Sequence, residues 1–258
     1  MWELLLPLAG FLIGAVAAMA GVGGGVFIVP LLTLAFAFPP DHAIGTSLTV
    51  IIFTAVAATF GYSRQHRIYY KTGLLLAVLT VPGAVLGAYL TVVLPASLLG
   101  LIFGVFLVLV AVQMVAGGGL GKRGTGGSVN SEAELFASRK RLAGGVLLAF
   151  FGGLASGLLG IGGGALIVPI MALVLLMPIH VAVATSMFTM ILTSLSGVAQ
   201  HYALGNVDLE FALLIAVGSV LGAQVGAYAS KRVSGMNLRR IFAVVLIIVS
   251  VQMIIKFI

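Results

Sequence analysis

The sequence predicts an all-α polytopic membrane fold made of two homologous halves, and three observations carry that prediction. Of 258 residues, 61% are hydrophobic and only 7% charged, with a mean hydropathy of +1.27. Soluble domains carry about a quarter charged residues. Apolar runs such as 74–94, 98–116 and 241–255 approach the roughly 20 residues that span a bilayer. The stretch AGVGGGVFIVP at 20–30 returns as LGIGGGALIVP at 159–169. The apolar–polar alternation of a membrane β-barrel is absent.

Each half reads as five apolar segments. They cover about 4–20, 26–38, 43–62, 72–94 and 97–116, then 142–159, 165–177, 181–202, 209–230 and 236–257. The first has no basic residues before it (Met1-Trp2-Glu3), so it reads as a retained segment and not a cleaved signal. The second of each half is short for a full crossing. The expected division is a first membrane repeat at 1–119, a cytoplasmic linker at 120–140 and a second repeat at 141–258. In the Gly- and Ser-rich linker, Ser131 followed by Glu134 predicts a capping box opening a short surface helix.

The two glycine motifs are offset by 160 − 21 = 139 residues, and the offset extends well beyond them. Phe11 pairs with Phe150, Gly14 with Gly153, and Ile28-Val29-Pro30 with Ile167-Val168-Pro169. Thr46-Ser47 pairs with Thr185-Ser186 and Thr54 with Thr193. Near the ends, Ile102-Phe103 pairs with Ile241-Phe242 and Gln113-Met114 with Gln252-Met253. In between, Gly83 and Gly87 align with Gly218 and Gly222 at an offset of 135, a slip in register.

Loop charge sets the expected topology. If the first two segments of each half fold back as a pair, each half makes an odd number of passes. Arg64, Arg67, Lys71, the linker, Lys231, Arg232, Arg239 and Arg240 then share one side, with Asp41, Asp208 and Glu210 on the other. A single broken crossing would split the basic clusters and violate the positive-inside rule. Odd halves form an inverted repeat, as in many secondary transporters. The expectation is 8–10 membrane helices with glycine-broken hairpins meeting near the midplane. The linker faces the cytoplasm. The net charge of +7 is thereby read as orientation, with no nucleic-acid partner.

Gly83/Gly87, Gly100/Gly104 and Gly218/Gly222/Gly226 have the four-residue spacing of close helix packing, a face that would also permit a homodimer. Gly21, Gly23, Gly24 and Gly25, with Gly160, Gly162, Gly163 and Gly164, are too dense for a packing ridge. A helix through them loses about 1 kcal/mol per glycine relative to alanine. Pro30 and Pro169 follow, suited to the first turn of a resumed helix. Unpaired N–H groups in hydrocarbon cost several kcal/mol each, so such backbone must be buried in protein or line a cavity. A helix N-terminus is partly positive, and glycine lets an oxyanion approach its N–H groups. The expected function of the breaks is an anion pocket.

Thr46, Ser47, Thr185 and Ser186 lie early in the third segments. Their hydroxyls can donate to an oxyanion or bond back to their own helix. Gln113 and Gln252 read as packing amides. Among four histidines, His201 is the candidate for proton coupling, because imidazole titrates near neutral pH. All six carboxylates (Glu3, Asp41, Glu132, Glu134, Asp208 and Glu210) sit at segment ends or in loops, where a cation carrier would keep one mid-membrane. There is no cysteine, no HExxH and no GxSxG, so neither a metal site nor a cofactor nor intramembrane catalysis is expected.

AGVGGGVFIVP with the later GTS (45–47), and LGIGGGALIVP with the later ATS (184–186), resemble the sulfite exporter TauE/SafE family, also called the toluene sulfonate uptake permease family. The likeness covers essentially the whole chain. It implies a bacterial inner-membrane secondary transporter or facilitator, often an exporter, of sulfite, sulfoacetate or related sulfonates. It directs attention to 21–30, 160–169 and the two Thr-Ser pairs as the substrate site. The competing expectations are a carrier of another small anion and a non-transporting membrane subunit.

Overall fold

The apolar segments fold as helices, and no strand occurs among the described residues. The computed structural model describes residues 5–116, 131–230 and 236–257. Lys231, Arg232 and most of the linker lie outside them, as do the side chains of Gln113, Arg239 and Arg240. In chain order the helices are α1 (Leu5–Ala20), α2 (Gly25–Pro30), α3 (Pro40–Ser63), α4 (Tyr70–Val93), α5 (Ala96–Ala116) and α6 (Glu132–Ala137). They continue with α7 (Arg139–Leu159), α8 (Gly164–Pro169), α9 (Ile179–Ala203), α10 (Leu209–Ala229) and α11 (Met236–Phe257).

Helices α3, α4, α7, α9 and α10 are long and apolar enough to cross a membrane. By contrast, α2 and α8 run on into π-helical turns at Leu31–Ala35 and Ile170–Val174. Each such unit is about 16 Å long at 1.5 Å per residue, half the roughly 30 Å hydrocarbon core. It cannot cross alone. Helix, break and short helix follow one another in each half, and in the second half α8 and its π-helical turn pack back against α7.

Local chemistry sets the helix starts. Pro39-Pro40 and Pro178 open α3 and α9, where a missing N–H is harmless. Asp208 caps α10, its Oδ1 accepting the Phe211 N–H at 3.1 Å. The equivalent start of α4 follows Tyr69, which has no such carboxylate, and the cap arrives from the linker. Glu132 Oε1 accepts the Thr72 N–H at 2.7 Å and its hydroxyl at 3.0 Å. Ser131 Oγ accepts the Glu134 N–H at 3.3 Å, as the capping box predicts. The surface helix is docked, though: Leu135 is 2% exposed and packs with Leu76, Ala149, Ile167, Met171 and Leu175. Burial, then the carboxylates of Glu132 and Glu134, push the Tyr69 phenol pKa up.

The main helix pairs join one half to the other. α1 packs on α10 as α7 packs on α4, α3 lies against both α9 and α10, and α5 pairs with α11. The α1–α10 and α4–α7 seams are lined with glycine. A Cβ on Gly14 or Gly153 would overlap the carbonyl of Ser219 or Thr80. On Gly83 and Gly222 it would overlap Phe150 and Phe11, and on Gly87 and Gly226, Leu154 and Ala15. These contacts correct the sequence register. Gly83 and Gly87 match Gly222 and Gly226 (222 − 83 = 139), so the offset of 139 holds through the fourth segments. Two small-residue ladders spaced by four can be slid one helical turn and still align, and only the partner carbonyls fix the choice. Gly100 and Gly104 likewise face Phe257 and Ile254 of α11.

Helices α3 and α9 run antiparallel, the start of one against the end of the other. A Cβ on Gly45 would meet Asn206 O and lie 3.0 Å from His201 Cβ. Thr46 Oγ1 accepts the Asp208 N–H at 3.0 Å, and at the opposite end Thr185 Oγ1 accepts the Tyr69 N–H at 3.0 Å. The 64–71 loop, α6 and the end of α10, where Gln65 Nε2 donates to Ala227 O at 3.1 Å, therefore share one end of the bundle. Asp41 and Asp208 share the other.

Candidate functional site

Both breaks unwind as the glycine density predicts. Gly21, Gly23 and Gly24 have φ of +73°, +84° and +92°, and Gly160, Gly162 and Gly163 have +68°, +72° and +81°. L side chains are strained there. Gly21 and Val22 N–H reach back to Ala17 O, and Gly160 N–H to Ser156 O, closing α1 and α7. The chain restarts as helix at Gly25 and Gly164. Among the described residues, no hydrogen bond is made by the N–H groups of Gly23, Gly24, Gly25 and Val26, or of Gly162, Gly163, Gly164 and Ala165. All eight residues are buried, Val26 at 1% and Ala165 at 4% exposure.

The two breaks lie against one another. A Cβ on Gly25 would overlap Gly160 O, and one on Gly164 would overlap Gly21 O. They thus pass in opposite directions and cross at Gly23 and Gly162. Ile51 of α3 and Met190 of α9 seal this crossing. A Cβ on Gly23 would lie 2.8 Å from Met190 Sδ and 3.4 Å from Ile51 Cγ2; on Gly162 the corresponding distances are 3.2 and 2.9 Å. Ile51 and Met190 occupy equivalent positions, 139 residues apart, and both are fully buried.

The Thr-Ser pairs frame the breaks. Ser47 Oγ donates to Gly160 O at 2.8 Å, and Ser186 Oγ donates to Gly21 O at 3.1 Å and Val183 O at 2.8 Å. Each serine thereby holds the carbonyl end of the other half's break. Its one proton is committed to carbonyl in this conformation. Thr46 and Thr185 accept from the chain entering α10 and α4, as above. Deeper in the bundle, Thr54 donates to Ser219 at 2.9 Å, while Thr80 and Thr193 share a 2.8 Å bond. These are again equivalent pairs, each joining the two halves.

His201 is fully buried, and its Nε2 lies 3.1 Å from Gly157 O. A carbonyl only accepts, so Nε2 carries the proton; Nδ1 has no partner. In the first half Tyr62 takes the same position, its hydroxyl donating to Ala18 O at 2.7 Å. Both carbonyls lie just before a break, where the helix no longer supplies an N–H donor. Sequence reasoning missed Tyr62, although the 139 offset places it opposite His201. It also missed Ile51 and Met190, which no motif marks. Among the described residues, no cluster of His, Asp or Glu could hold a metal ion.

The family model described as "Sulfite exporter TauE/SafE" matches residues 6–253. The chain is similar to the probable membrane transporter protein YunE of Bacillus subtilis, 34% identical over 97% of this chain and 96% of that protein. It is also similar to a probable membrane transporter protein of Methanocaldococcus jannaschii, 28% identical over 92% and 90% of the two chains. The probable membrane transporter protein YdhB of Bacillus subtilis is 31% identical over 87% and 89%. No solved structure matches. The apolar helices among the described residues, the duplicated glycine breaks and these relatives lead to one conclusion: the chain belongs to the sulfite exporter TauE/SafE family and is a multi-pass membrane transporter.

Proposed function

We propose that the crossed breaks bind a small oxyanion, sulfite or a sulfonate such as sulfoacetate, and that the protein moves it out of the cell. The observation that carries this reading is the set of unpaired backbone N–H groups buried at the crossing, four in each half. Unmet donors of this kind are costly in a membrane and suit a ligand that only accepts. The described carboxylates (Asp41, Glu132, Glu134, Asp208 and Glu210) all lie at or near helix starts, so none neutralises the donors. Gly23, Gly24, Gly25 and Val26, with Gly162, Gly163, Gly164 and Ala165, supply the backbone ligands in this reading, while Gly21 and Gly160, whose N–H groups already close α1 and α7, shape the turn into each break. Ser47 and Ser186 hold the breaks in place through Gly160 O and Gly21 O, and Thr46 and Thr185 anchor the chain entering α10 and α4 beside them.

The halves insert with opposite topologies, their basic end and linker in the cytoplasm. Antiparallel α3 and α9 support this arrangement, as do the reciprocal contacts. Alternating access then consists of one hairpin moving against its α3 or α9 frame while the other stays closed. Uptake of labelled sulfite, sulfoacetate, sulfate and phosphate into proteoliposomes, with and without a pH gradient, tests the proposal. Saturable flux confined to the sulfur oxyanions is expected. Flux of phosphate alone would replace the substrate class, and none with correctly inserted protein would overturn transport of these anions.

In this scheme His201 couples protons through the partnerless Nδ1. His201→Tyr copies the first half's own solution, keeping a donor to Gly157 O while removing the titrating ring. The expected result is retained folding and a flux that no longer responds to a pH gradient. Unchanged pH response would make His201 a helix cap like Tyr62.

A further inference from the structure

The two breaks are equivalent in backbone but not in what surrounds them. One turn before the first lies Ala17; the equivalent residue before the second is Ser156. The first break borders a small cleft with apolar walls, lined by Val16, Ala17, Ala20, Val22, Val26 and Phe27 among others. Near the second, Ser156 is fully buried, and its Oγ has no hydrogen-bond partner.

That orphan hydroxyl is anomalous on two counts. Serine in an apolar helix ordinarily donates back to a carbonyl three or four residues earlier. Ser219, Ser230 and Ser250 do so here, at 3.1, 2.9 and 2.7 Å, whereas Ser156 and, in the middle of α9, Ser194 do not. A buried hydroxyl left unmet is destabilising, and all the more so in a membrane. Its neighbour is the break itself: a Cβ on Gly163 would lie 3.5 Å from Ser156 Cβ. Gly162, Gly163, Gly164 and Ala165 N–H, also unpaired, are in the same stretch.

Resting on the anion-site reading above, we infer that the oxyanion site is asymmetric, with Ser156 as its hydroxyl ligand. The second break binds the anion through backbone N–H groups and the Ser156 O–H. The first, with Ala17 in place of the serine, presents backbone alone. Ser156 donates to one oxygen of a sulfite or sulfonate, and a single hydroxyl suits such singly or doubly charged oxyanions without trapping them by full charge.

The test compares Ser156→Ala, Ser156→Thr and Ala17→Ser in proteoliposomes and in detergent. Removal of an orphan donor leaves the empty protein as stable as before, or more so, so the melting midpoint of Ser156→Ala should not fall. Its KM for sulfite or sulfoacetate should rise about tenfold, the loss of one hydrogen bond to a charged group. Stabilisation of the protein against heat by sulfoacetate should weaken in parallel. Ser156→Thr should restore both readouts, and Ala17→Ser should leave KM near wild type.

A lowered midpoint with unchanged KM would make Ser156 structural and overturn the inference. An equal KM rise from Ala17→Ser would overturn the asymmetry. Wild-type protein showing neither flux nor stabilisation with sulfite, sulfoacetate, sulfate or phosphate would instead remove the anion-site reading and this inference with it. Wild-type flux with unaffected Ser156→Ala removes the inference alone.

Discussion

Gly25→Ala and Gly164→Ala are each expected to destabilise the protein by about 3 kcal/mol or more and to abolish transport. Neither glycine has a positive φ, so the effect is not one of backbone strain. The cause is the other half's chain: the new Cβ would overlap Gly160 O in one variant and Gly21 O in the other. Backbone on both sides cannot swing aside as a side chain can, so the crossing must open. Gly205→Ala isolates the strain component, because Gly205 has φ +76° with nothing within 4 Å of the added Cβ. It should cost only about 1–2 kcal/mol. Gly24→Ala should fall between, having φ +92° and only side-chain contacts, Ile13 Cγ2 at 3.0 Å and Ala17 Cβ at 3.4 Å. Melting midpoints in detergent, ranked across the four variants, check the order. If Gly25→Ala and Gly205→Ala melted together, the close crossing of the breaks would be wrong.

Releasing the linker helix is the second large effect. Leu135→Ala removes a side chain 2% exposed in the cluster around Leu76, Ile167, Met171 and Leu175, and should weaken α6 docking by about 2–3 kcal/mol. Glu132→Gln keeps an acceptor for the Thr72 N–H but removes the charge, and should weaken docking by about 1 kcal/mol. The reason is the difference between the halves. The α10 start carries its own Asp208, whereas the α4 start depends on a carboxylate that arrives with α6. Because Leu135 and Glu132 act through one docked element, their effects should be non-additive in the double variant. Limited proteolysis at the 131–138 segment reads the docking directly, with Leu135→Ala cut fastest. Equal cleavage rates in wild type and both variants would mean that α6 is not held by these contacts.

How much of this was legible in the sequence differs from residue to residue. The membrane class, the helices and the two breaks follow from local chemistry. No water reaches backbone in hydrocarbon, so apolar runs become helices. Runs such as GVGGG cannot remain helical, whatever surrounds them. The duplication was legible from matched Pro, Gln and Thr-Ser positions. It would also have paired Tyr62 with His201 had equivalence been read beyond identical residues.

The tertiary structure alone decided what each repeated residue touches. Ser47 and Ser186 could bond within their helix or reach an anion, and hydroxyl chemistry permits either. Only the position of the opposite break directs them to Gly160 O and Gly21 O. The Gly83/Gly87 register was ambiguous because glycine ladders spaced by four repeat every turn, until the carbonyls of Phe150 and Leu154 fixed it. Ile51 and Met190 look like any apolar helix residues, and become the seal only because α3 and α9 bring them to one point. What the sequence by itself determined was everything set by one segment's own solvation and backbone freedom: helix, break and duplication. What only the fold decided was every contact between segments far apart in the chain, because those depend on which helix faces which.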